Sequence, residues 1–221
     1  LKARHKFAKI ENTDDTVIVR GLLHKAIELD DNLIAAKNLF GYTYSVIGNY
    51  DKAMEIYSSA LKQAEELGDK RGMGYSLNSI GLVHKNKGDF DTSLDYLERS
   101  LVIAEELGDK DWMGATLNGI GIVYGNKGDL GTSLDYLERS LAIAEELGNK
   151  RTMGSALNNI GLELLHKGDY EKALGYYDRS LAIAEELNAK RLMGATFTGI
   201  GFMHLMKGAY ENALVYFARS L

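Results

Sequence analysis

Apolar residues in this chain recur at steps of three and four. Met73, Leu77, Ile80, Gly81 and His84 fall on one stripe of a helix, a first helix we call helix A. After a break at Lys87, Gly88 and Asp89, the positions Phe90, Ser93, Leu94, Leu97, Leu101 and Ala104 make the stripe of a second, helix B. The punctuation between them is chemically specific. Asp69 and Asp89 stand where a helix wants an N-cap acceptor, and Gly68 and Gly88 stand where the preceding helix must leave through a left-handed residue. The same pairs return at Gly108 and Asp109, Gly128 and Asp129, Gly148 and Asn149, and Gly168 and Asp169. The strand pattern of alternating β-branched and polar residues is absent, so the chain is expected to be all-α, with antiparallel helix pairs joined by turns of two or three residues.

These stripes belong to a forty-residue block that runs from Gly68 to Leu107, from Gly108 to Leu147 and from Gly148 to Leu187, then begins again at Asn188. A fixed period of this length predicts a solenoid, in which each unit closes its core against its neighbours. Upstream the pattern loosens. Phe40 to Tyr44 matches the middle of helix A, Gly48 to Ala53 matches the turn into a helix B over Met54 to Leu67, and residues 17–32 read as a lone helix B. Taken as an array, the repeats span about 34–73, 74–113, 114–153 and 154–193, with an incomplete one over 194–221; residues 1–16 form an N-terminal segment with a partial helix over Lys2 to Ile10. A glycine recurs inside each helix A, at Gly41, Gly81, Gly121, Gly161 and Gly201. Such a residue costs roughly 1 kcal/mol relative to alanine, which predicts close approach of a neighbouring helix backbone.

Composition narrows the function classes. Among 221 residues, 26 Lys plus Arg face 31 Asp plus Glu, a formal charge of −5 that argues against general attraction to nucleic acid or anionic lipid. With no cysteine, disulfides, thiolate metal sites and cysteine nucleophiles are excluded. No apolar run approaches the ~18 residues of a membrane span, and the start lacks an apolar signal core, so a soluble, cytoplasmic protein is expected. A start without methionine and a stop in mid-repeat suggest a piece of a longer protein.

The repeat resembles the tetratricopeptide repeat. Its spacing of a large residue, an apolar-Gly pair, an aromatic, then small, large and small residues is matched by Leu77, Ile80-Gly81, His84, Ser93, Leu97 and Ser100. Two units on it reads Leu157, Ile160-Gly161, Leu164, Ala173, Tyr177 and Ser180. The usual proline after helix B is missing, Asp31 and Glu105 standing there instead, and the period exceeds the common 34. It is similar to the longer units of kinesin light chains, of LGN and Rapsyn-type adaptors, and of prokaryotic signalling arrays. The resemblance implies a right-handed superhelical solenoid with helix A lining its concave side, and a groove in which helix A asparagines hold extended ligands.

Away from the core stripe of helix A lie Tyr75, Asn78, Leu82, Lys85 and Asn86, with Asn126 one block on. The same offsets give a ladder of Asn38, Asn78, Asn118, Asn158 and then Thr198, beside an apolar rail of Tyr42, Leu82, Ile122, Leu162 and Phe202. Asparagine is a poor helix-interior residue, yet its amide presents a donor and an acceptor to a passing backbone. Helices packed ~10 Å apart would meet an extended peptide about every third residue. The same amides could instead bond to the next repeat and lock its register, and the rail could be the edge of helix packing; repetition within one chain does not separate these. His84 and His204 hold the aromatic core position, while His5, His24 and His166 lack metal-site spacing. The pairs Glu105-Glu106, Glu145-Glu146 and Glu185-Glu186 read as a solvated face, and Lys87, Lys127, Lys167 and Lys207 as a basic edge at the A-to-B turn. No catalytic constellation, metal or cofactor is implied. The expected function is a scaffold binding a protein or peptide segment, without nucleic acid or membrane; the alternative is homo-association through terminal repeats, with Leu214, Phe217 and Leu221 on the exposed end.

Overall fold

The computed structural model describes residues 13–220, with side chains from residue 17. The proposed helix over Lys2 to Ile10, and Leu221, lie outside them. Every element among the described residues is a helix. The chain divides into two compact units, Leu1–Leu107 and Gly108–Leu221. The first contains α1 (Thr13–Leu29), α2 (Ile34–Ser45), α3 (Tyr50–Leu67), α4 (Lys70–Lys87) and α5 (Phe90–Glu106). The second contains α6 (Lys110–Asn126), α7 (Leu130–Leu147), α8 (Lys150–His166), α9 (Tyr170–Glu186), α10 (Lys190–Met206) and α11 (Tyr210–Ser220). Cut between helices, the pairs start at Ile34, Lys70, Lys110, Lys150 and Lys190; a cut between residues 73 and 74 would pass through α4.

Two boundaries differ from the sequence reading. The second helix of the first pair starts at Tyr50 rather than Met54, because Asn49 accepts from Lys52 N at 3.2 Å and so begins the helix a turn earlier. The lone helix spans Thr13–Leu29 and ends before Asp30, whose carboxylate accepts from Asn32 N and sets a turn in place of a last helical coil. α2, with 12 residues, is shorter than the 18-residue α4. Elsewhere the caps stand where the punctuation predicts: Asp69 accepts from Gly72 N at 2.9 Å, and Asp129 from Thr132 N at 3.1 Å. Gly88 takes the left-handed turn at φ +82°. The last such turn before α10 is degraded. Asn188 holds φ +48° in place of glycine, and Ala189 at the N-cap offers no side-chain bond.

The glycines inside the first helices answer mainly to side chains of the second. A Cβ on Gly81 would stand 2.8 Å from Leu97 Cγ and 3.1 Å from the Ser93 carbonyl; on Gly41 it would strike the Tyr57 ring and on Gly161 the Tyr177 ring. The expected close backbone is therefore the secondary contact, and the filled space belongs to the large residue of helix B. The bare helix backbone also serves as an acceptor. Ser93 Oγ donates to Gly81 O at 2.8 Å and Ser100 Oγ to Gly74 O at 3.0 Å; Ser133 and Ser140 repeat this on Gly121 O and Gly114 O at 2.8 and 2.7 Å. Each buried hydroxyl is thereby satisfied, which an apolar core requires. Around these bonds pack Tyr57, Ile80 and Val83 in the first unit, and Leu137, Leu157, Ile160 and Tyr177 in the second.

At the ends of the pairs, acid meets base. Lys70 bonds Glu106 at 2.8 Å, and Lys110 with Glu146 and Lys150 with Glu186 repeat the contact. The second acid of each pair thus clasps the start of the first helix in its own helix pair. Exposed pairs of this kind contribute little to stability. Of the basic edge, Lys87 reaches Asp51 at 2.7 Å and Lys207 lies over the Tyr170 ring. His84 is half-buried, stacked on Tyr96, with Nδ1 3.0 Å from Asp89 Oδ2, and His204 stacks on Tyr216. Phe217 does not lie on an exposed end. It turns inward, edge-on to Phe202 at 5.3 Å, because it holds the helix B position that faces Gly201.

Candidate functional site

The ladder and rail lie on the first helix of each pair: α2 and α4 in one unit, α6, α8 and α10 in the other. Helical spacing of three and four brings both onto one side of each helix, away from the stripe that packs on helix B. The rungs Asn38, Asn78, Asn118 and Asn158 are half-buried, as is Thr198. On the rail, Tyr42 is 42 %, Leu162 36 % and Phe202 48 % exposed, while Leu82 and Ile122 are half-buried. Tyr75, Asn86 and Asn126 are exposed. Lys85 is half-buried, and burial pushes its ammonium below the ordinary lysine range.

Within each unit the rungs bond to the next first helix. Ser76 Oγ donates to Asn38 Oδ1 at 3.0 Å, joining α4 to α2. Asn159 Nδ2 donates to Asn118 Oδ1 at 3.0 Å, joining α8 to α6, and Thr196 Oγ1 stands 3.1 Å from Asn158 Oδ1, joining α10 to α8. Thr198 instead donates to Gly194 O of its own helix at 2.9 Å. These bonds tie first helices to one another within a unit, and at Asn38, Asn118 and Asn158 they use the amide oxygen. Asn38 Nδ2 is a buried donor with no acceptor among the described residues.

Sequence reasoning overlooked the residues that complete these bonds. Ser76 and Thr196 are hydroxyl residues two positions before the rung, where Thr116 also stands; Ala156 breaks the series, and there the adjacent Asn159 takes over. It also overlooked Glu163, which occupies the core position held by Val83 and Val123 in α4 and α6. Burial pushes its carboxyl above the ordinary glutamate range, against the opposing pull of the His166 charge and a bond to Ser133. An acid in a column that otherwise holds Thr43, Val83, Val123 and Met203 is the signal that could have found it. No helix among the described residues is long and apolar enough to cross a membrane.

Comparison with known proteins supports the architecture. Family models described as tetratricopeptide repeat match residues 34–67, 72–146 and 152–221. No curated protein matches the chain. Among solved structures it is similar to Cut9 in the APC/C hetero-tetramer Cut9-Hcn1, with TM-score 0.76 and 19 % identity over 94 % of this chain and 37 % of the other. A Rap protein complexed with Competence and Sporulation Factor gives TM-score 0.76 and 15 % identity over 99 % and 72 %. A Podosopora anserina putative kinesin light chain with nearly identical TPR-like repeats gives 0.65 and 12 % over 86 % and 93 %. At these identities the likeness is one of fold. With the family's repeats matched over most of its length, and its glycines and serines placed as that repeat requires, the chain belongs to the tetratricopeptide repeat family.

Proposed function

We propose that this chain is a non-catalytic, protein-interaction scaffold in the cytoplasm, a module of a larger signalling or assembly protein, that holds an extended peptide or protein segment along the groove face of its first helices. The observation that carries this reading is the apolar rail. Tyr42, Leu162 and Phe202 remain in solvent beside polar rungs that are half-buried and held in place. Bonds such as Asn159 to Asn118 fix the rung carboxamides before any ligand arrives, and that ordering lowers the entropic cost of binding. The Rap protein of the same fold, complexed with Competence and Sporulation Factor, supports the use of such a scaffold for capture.

Because the rungs also bond between helices, the rail offers the cleaner test. Leu82→Ser and Leu162→Ser in the full chain are expected to abolish binding of a partner isolated on the wild-type protein, while melting stays close to wild type. The exposed Leu162 should contribute about 0.5 kcal/mol or less and the half-buried Leu82 about 1 kcal/mol. Undiminished binding by the double variant would overturn the reading.

One observation favours a second reading, self-association. On α11, Tyr210 is 66 % and Leu214 69 % exposed, whereas Leu134 and Leu174, at the corresponding position of α7 and α9, pack against the core. Leu214→Glu should abolish any concentration-dependent growth in sedimentation if this face pairs copies; identical sedimentation of both proteins would exclude it.

A further inference from the structure

Glu163 is the buried acid that neither the fold nor the groove reading uses. The equivalent residues Val83 and Val123 are fully buried, and Glu163 is only 4 % exposed. Its carboxyl reaches across from α8 to the backbone of α6 at Gly125, so closely that a Cβ there would collide with Oε1. Other first helices carry Ser45, Lys85, Leu165 and Leu205 at the Gly125 position, so the gap accompanies the acid.

The surroundings suit a protonated carboxyl better than a carboxylate. From α7 the Ser133 hydroxyl, which would favour the carboxylate, has its proton donated to Gly121 O at 2.8 Å instead. Its proton is thus not available to a carboxylate, which leaves the ionised form short of donors. Glu163 Oε2 is buried without a hydrogen-bond partner among the described residues. The ionisable groups near it are few. His166, a turn later on α8 and half in solvent, has Nδ1 3.9 Å from Oε2. From α9 comes Tyr177, whose hydroxyl is also buried without a partner. α10 presents Ile200 and Met203 to this core, its His204 being stacked on Tyr216. α6 contributes the uncharged Gly125.

We propose that Glu163 is a proton-operated wedge between α6 and α8: protonated, it fills the gap at Gly125; ionised, it drives α8 away from α6. A buried carboxylate without a full set of donors is costly, and opening to water relieves that cost. The sign follows from the direction of the shift. A carboxyl raised in the folded state binds its proton more tightly there than in the unfolded chain. Its stabilisation is complete below the ordinary value of about 4.5 and is lost as pH rises through the folded value. The same two helices are bridged by the Asn159 to Asn118 bond, which the wedge would break on ionising. α6 and α8 also carry Ile122 and Leu162, so ionisation would disturb ladder and rail together. That consequence rests on the groove reading; the wedge itself does not.

The test needs no ligand, so its failure is separate from failure of the groove reading. Amide hydrogen exchange on the full chain, corrected for intrinsic base catalysis, is followed from about pH 5 to about pH 8. Protection in α8 and the second half of α6 is expected to fall several-fold as pH rises, with α4 unaffected. Glu163→Gln, which keeps the size of the side chain and cannot ionise, and Glu163→Val should both show flat profiles. Should Glu163→Val fail to fold, Glu163→Gln alone decides. A wild-type slope retained in Glu163→Gln, or a loss of protection spread evenly over all helices, would overturn the wedge.

Discussion

Contacts within a helix pair and contacts between successive first helices follow different rules. Inside the pairs the chemistry repeats: Ser93 on Gly81 and Ser133 on Gly121 have the same 2.8 Å bond, and Leu97 and Leu137 fill the same glycine-made space. Between first helices the partner varies, a hydroxyl in two bonds and a carboxamide in a third. Asn38 meets Ser76, Asn118 meets Asn159, Asn158 meets Thr196, and α6 and α8 share the Gly125 and Glu163 contact. A seam that must close in every pair tolerates few solutions, leucine or an aromatic ring over the glycine, because core packing penalises both voids and overfilling. The surface between first helices has a polar, half-open side, and there water or a ligand can take up what the protein leaves unpaired.

The largest expected effect lies in the seam. Leu137→Ala should destabilise the second unit by about 3 kcal/mol, in the range for emptying a fully buried leucine site. Gly121→Ala should cost about 2 kcal/mol through its clash with Leu137. The double variant should lose clearly less than the sum, since removing Leu137 Cγ removes what the new methyl strikes. Full additivity, read by exchange protection in α6 and α7, would break the comparison by showing that the glycine and the leucine are not one joint.

Between first helices the corresponding change is Gly125→Ala. It should cost about 1–3 kcal/mol by striking the Glu163 carboxyl, and Glu163→Val in the same chain should restore most of that loss. A variant that melts like wild type without the rescue would show that the two helices are free to slide. The smallest effect should come from Asn118→Ala, about 1 kcal/mol, because its bond to Asn159 is half-buried and water can replace part of it. A much larger loss would give the ladder a structural role alone and remove it from the binding face.

Much of the fold was legible because its signals are local. Asp69 and Asn149 declare helix starts by the acceptor they carry, and Gly88 and Gly168 declare turns by the φ they permit. Where the local signal was mixed, the boundary slipped. Met54 begins the strongest apolar run of its helix, yet Asn49 starts that helix at Tyr50. The site was legible as a face and not as a set of bonds. Helical spacing puts Asn78 and Leu82 on one side, while nothing near Asn118 in the sequence says that Asn159 will reach it. Phe217 was misplaced for a related reason: amphipathic spacing does not say which side of a last helix the chain itself covers, and Gly201 draws that ring inward.

By itself the sequence determined that this is an array of helix pairs, because periodicity, caps and left-handed turns act over a few residues and hold wherever those residues sit. Only the tertiary structure decided which end of each amide the protein uses and which apolar residues remain in water. Those outcomes depend on the distance between helices some forty residues apart, and the missing Cβ at Gly125 leaves room for a buried acid at a position that valine holds in α4 and α6.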